Sequence, residues 1–122
     1  MRAIKAFFDV VLARIADPSV PVGCLIAQSA AQSPTLKEDN SVHVRALLDT
    51  QRRRVRAALA DPSADPHVLD ELATFVVAVN QSLAVLSRAG TSDAELRAVA
   101  RLACTTVADT LARTTSEYAD HG

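Results

Sequence analysis

The residue types that could do chemistry are few in this 122-residue chain, and their spacing assembles no familiar reactive set. His43, His67 and His121 are scattered, with His67 in the first turn of a predicted helix and His121 in the tail. Such positions read as solvent-exposed, and a metal site needs ligands that converge. Cys24 and Cys104 are the two cysteines; they give neither a metal-binding spacing nor a disulfide framework, and read most simply as small buried hydrophobes. The three glycines, Gly23, Gly90 and Gly122, make no phosphate-binding loop, and no serine sits in a nucleophile elbow. The chain is therefore expected not to be an enzyme and to need no metal or cofactor.

One basic cluster exists, Arg52-Arg53-Arg54 with Arg45 and Arg56. Thirteen basic residues are set against fourteen acidic ones, for a net charge of -1. That balance, without interleaved aromatics, argues against a nucleic-acid or anionic-membrane surface. Asp49 stands four residues before Arg53, a favourable helical pairing, so the cluster reads as a solvated helix face.

Amides set among apolar residues carry more information. Gln28, Gln51 and Asn80 face or flank apolar stripes, and a buried amide without a partner costs about 1–3 kcal/mol. Core residues satisfied by nearby backbone are one reading. The other is a small-molecule pocket, with apolar walls and a few convergent polar groups. Its candidate lining is Phe7, Phe8, Val11, Cys24, Gln28, Leu48, Gln51, Phe75, Val79 and Asn80. No charge falls on the inward stripes of the helices that carry them, so the expected ligand is mostly apolar, with one or two hydrogen-bonding groups.

These residues must be positioned by helices. Almost half the chain is apolar and 22% is charged, a globular composition sized for one domain. Arginine supplies nearly all positive charge, with Lys5 and Lys37 the only lysines; with the abundant alanine this suggests a GC-rich bacterial coding sequence. No signal-peptide pattern and no apolar run of spanning length are recognised, so a soluble, cytoplasmic protein is expected. Periodicity of 3.6 dominates and no segment alternates with period two, so the fold is predicted to be all-α with about five helices. The first carries Ile4, Phe7, Phe8, Val11, Leu12 and Ile15 on one face and stops at Asp17-Pro18. The second spans roughly residues 24–33. The third, about 41–60, has a stripe of Val44, Leu48, Gln51, Val55, Ala58 and Leu59. Asp65 and Pro66 cap the fourth, and Gly90 ends it. Ser92 to Glu95 opens the fifth as a capping box, with Leu96, Val99, Ala100, Ala103, Val107 and Leu111 inward to about Thr114. The domain is read as residues 1–114, with 115–122 a frayed tail.

From Leu72 to Ser87 the fourth helix has no charged residue. One side is large and apolar (Leu72, Phe75, Val76, Val79, Leu83 and Leu86); the other carries Thr74, Val77, Gln81, Ala84 and Val85. A surface helix of a monomer should present a charged back, so burial on both sides is expected. The fourth and fifth helices, joined at Gly90-Thr91, should form an antiparallel hairpin that pairs with its copy in a four-helix homodimer interface. Candidate interface residues are Val77, Gln81, Ala84, Val85, Arg88, Arg101 and Ala108.

Two stretches resemble the tetracycline-repressor (TetR) family. Gly23-Cys24-Leu25-Ile26, after a helix with paired phenylalanines, is similar to a stretch common in the family's effector domain. Asn80 through Gly90, ending Arg88-Ala89-Gly90 before a capped final helix, resembles its penultimate helix, with Ser82 where members often have glycine. The resemblance runs from Ala3 to Thr114. It implies an effector-binding and dimerisation domain of a transcriptional regulator, with an inducer pocket and a dimer built on the last two helices. It also implies that DNA is contacted only through a helix-turn-helix head, which these residues do not contain; the chain starts where the family's effector domain starts. The alternative reading is a stand-alone helical module that dimerises or binds a protein partner and takes no ligand.

Overall fold

The computed structural model describes residues 2–16 and 38–121, and over these the chain forms four helices and no strand. They are α1 (Arg2–Ala16), α2 (Glu38–Ala58), α3 (Pro66–Arg88) and α4 (Asp93–His121). The second of the five expected helices, with Cys24 and Gln28, lies outside the described residues.

Local chemistry explains the boundaries. After α2, Asp61 accepts from both the backbone N–H and the hydroxyl of Ser63, at 2.9 and 2.6 Å, which turns the chain. Asp65, extended at φ -64°, ψ 122°, then accepts the His67 N–H at 2.9 Å, and Pro66 occupies a first-turn position that needs no donor. At the far end of α3, Thr91 N–H reaches back to the Leu86 carbonyl at 3.0 Å, and Gly90 takes φ 91°. This closure satisfies carbonyls that the helix end would leave open and calls for a left-handed residue. Ser92 Oγ accepts the Glu95 N–H at 3.2 Å and starts α4. Two expectations are corrected. The last helix continues past Thr114 to His121, because no glycine or proline interrupts it before Gly122. Ala58, placed on the inward stripe of α2, is exposed: it is in the final turn, where the chain is already turning toward Leu59.

α3 is the central helix, packed by α1, α2 and α4, while α2 and α4 do not touch each other. The core draws Ile4, Phe8 and Leu12 from α1, Val55 from α2, Leu72, Ala73, Val76 and Leu83 from α3, and Leu96, Ala100, Ala103 and Val107 from α4. By length and composition α3 could cross a membrane, contrary to the expectation that no run approaches spanning length; here Leu72, Ala73, Val76 and Leu83 belong to the core of a helical domain, while Ala78 and Val85 are exposed.

Candidate functional site

The residues expected to line a pocket are distributed over three helices around this core. Phe8 is fully buried, and its ring meets Phe7 edge-on at 5.5 Å between centroids. Phe7, Val11, Leu48, Phe75 and Val79 are half-buried against the core cluster, and Asn80 is 7% exposed. Phe75 and Val77 stand roughly 200° apart around α3 at 100° per residue, so they serve opposite flanks of the helix. Leu48 belongs to the Val77 flank, toward α2.

On that flank lies an open groove of about 400 Å³ between α2 and α3. Leu48, Val77 and Ala78 give it an apolar floor, Thr74 and Gln81 add polar wall, and Arg45, Asp49 and Arg52 form its charged rim on α2. Among the described residues Leu48 is the one expected pocket residue that lines it, and Gln51 adjoins it through a hydrogen bond. Gln81 Nε2 donates to Gln51 Oε1 at 3.2 Å, while Gln81 Oε1 is buried and has no donor among the described residues.

The rim is ordered by ion pairs. Asp49 takes Arg53 Nε at 2.8 Å and Arg52 at 2.9 Å, with a second nitrogen of Arg53 closer still. These guanidinium groups, Arg53 first, hold the Asp49 carboxyl below the usual carboxylate range. The expected Asp49–Arg53 pair is thus present. Arg56 crosses to Asp70 of α3 at 2.8 Å and ties the two helices. Arg45, at the mouth of the groove, has no acidic partner among the described residues. Other chemistry is sparse. Burial pushes the half-buried Cys104 thiol up, with the Asp9 carboxylate of α1 adding to it, which makes it a poor nucleophile. His43 and His67 are exposed, and among the described residues no cluster of potential ligands could hold a metal ion.

The expected interface residues divide. Val77 and Ala84, at 8% and 5% exposure, are covered within the single chain. Gln81 and Ala108 are half-buried, and Arg88 and Arg101 are exposed. Val85 is 52% exposed and belongs to a bare stripe that sequence reasoning only partly named: Thr74, Ala78, Ser82 and Val85, all exposed and none charged. Leu102 of α4, 65% exposed, was missed altogether. The signal for the stripe was present in the i, i+4 spacing of small and neutral residues, which larger apolar neighbours overshadowed.

A family model described as the tetracyclin repressor-like, C-terminal domain matches residues 1–103 of this sequence. The chain belongs to that family. No curated protein and no solved structure matches it. In this TetR-like C-terminal domain the four described helices carry a bare α3 stripe and an α2–α3 groove.

Proposed function

We propose that this domain is the effector-sensing and dimerisation part of a TetR-like transcriptional regulator. The observation that carries the reading is the exposed stripe of α3, where Thr74, Ala78, Ser82 and Val85 face solvent within sixteen consecutive uncharged residues. Water-facing positions on a helix ordinarily carry charge, and their absence here marks a surface meant for another surface. Leu102 extends that apolar character onto α4. A homodimer across α3 and α4 covers both.

The effector is a mostly apolar molecule with one or two hydrogen-bonding groups. Support comes from the lack of charge among these candidates: Phe7, Val11, Phe75 and Val79 are half-buried against the core, the Asn80 amide is buried, and Leu48 and Gln51 are half-buried on α2. Its binding modulates a DNA-binding unit that is not among these 122 residues. Thermal-shift screening tests the sensing half: apolar compounds bearing a single amide or hydroxyl should raise the melting temperature. A response confined to multiply charged metabolites would sink it. Sedimentation tests the other half, with a dimer expected at micromolar chain concentration.

A further inference from the structure

We propose that the α2–α3 groove is the socket for Leu102 of a second copy, so that the dimer surface spans three helices. The inference rests on the homodimer reading above and specifies how the two copies interlock.

Two features place socket and knob on one face. The groove is lined by Thr74 and Ala78, which belong to the bare stripe of α3, so whatever covers the stripe also covers the groove. Leu102 looks the same way. α1 packs against both α3 and α4 and so lies on one side of that pair. Cys104 packs against the core cluster to which α1 gives Ile4, Phe8 and Leu12, and Leu102 is roughly 200° around α4 from Cys104. The α3 stripe, being exposed, also looks away from α1.

Height and order then match. Ala78 and Leu102 are equidistant from Gly90 along the chain, twelve residues on either side, so on antiparallel helices of equal rise they stand level. The helices lie side by side in the order α2, α3, α4, with no contact between α2 and α4. A two-fold axis running along the helices preserves height and exchanges left for right. It sets α4 of the second copy over the groove, and the first copy's α4 over the second groove, as an isologous pairing requires. Among the described residues Leu102 is the most exposed large hydrophobic, and the groove floor of Leu48, Val77 and Ala78 is the apolar hollow at its level. Knob and hole are thus both supplied by one chain, twice.

Cross-linking tests this directly. In a Cys24→Ser, Cys104→Ser background, Arg45→Cys and Leu102→Cys are combined and treated with a short bismaleimide. Both positions are exposed, so folding is expected to be retained, which circular dichroism checks. The double variant should give a covalent dimer, and each single variant little of it. In parallel, Leu102→Ala should raise the dimer Kd by about tenfold or more. If the wild type is dimeric and Val85→Arg makes it monomeric, the dimer reading stands. Cross-linking of the double variant no greater than that of the singles would then overturn the socket alone, as would an unchanged Kd for Leu102→Ala. A wild type that stays monomeric at high concentration removes the dimer and the socket together.

Discussion

Gln81 is half-satisfied among the described residues: its nitrogen has Gln51, while its oxygen is buried without a donor. An orphaned acceptor of this kind costs about 1–3 kcal/mol. Gln81→Leu removes the orphan and adds apolar contact with the groove floor, and Gln51 is exposed enough to turn to water. The variant should match or exceed the parent in stability, by up to about 1 kcal/mol. Urea unfolding in a Val85→Arg background keeps association out of the measurement; a clear loss of stability would show that Gln81 holds α2 to α3. Asp49 gives a pH signature. Its carboxyl pKa is lowered in the folded chain, chiefly by Arg53, so the stabilisation is present above the unfolded value of about 3.9 and lost as pH falls through the lower folded value. Asp49→Asn should therefore leave less acid dependence below about pH 4, and salt should shrink the difference because the pair is solvent-accessible. Identical acid unfolding curves for the two proteins at low salt would refute the assignment.

At the scale of elements, the cap of α3 and the closing glycine are the most local features and the easiest to test. Asp65→Ala removes the acceptor for the His67 N–H and should cost about 1 kcal/mol. Gly90→Ala meets no steric contact, so its cost, also about 1 kcal/mol, comes from a backbone at φ 91° that alanine resists. Chemical denaturation measures both, and a Gly90→Ala protein as stable as the wild type would mean that the turn relaxes. These features were legible because each depends on residues within a turn of one another: Asp65-Pro66, Gly90 and the Ser92–Glu95 box. The inward residues of α1 and α4 were legible for the same reason, periodicity. What could not be read was which flank of an uncharged helix its neighbour covers. Val77 and Ala84 are covered within one chain while Ala78 and Ser82 are bare, and α2 meets α3 through contacts such as Arg56–Asp70, fourteen residues apart. The α2–α3 groove was invisible for that reason, with Arg45 and Arg52 read as mere solvated face. Leu102 escaped notice because a single leucine off the main stripe of a helix is unremarkable by itself.

For the whole molecule, adjacent residues of α3 separate folding from assembly. Ala84 is 5% exposed inside one chain, whereas Val85 is 52% exposed on the bare stripe. Arginine at position 84 must place a cation in the packed interior of the monomer, where an unpaired charge costs several kcal/mol after relaxation. Ala84→Arg should therefore unfold the chain rather than merely split a dimer. Arginine at position 85 meets only water in a single chain, and its charge becomes costly only when a second copy approaches. Val85→Arg should thus remain helical by circular dichroism and sediment as a monomer. An obligate interface of the kind expected here buries more than about 2,000 Å² in total, so the wild type should melt at a temperature that rises with chain concentration, and Val85→Arg should lose that dependence. The two substitutions are chemically almost the same and one residue apart, so a difference between them can come only from which side of α3 is covered by its own chain. If Val85→Arg still sediments as a dimer, the bare stripe is not the contact surface, and the copies meet somewhere else on the domain.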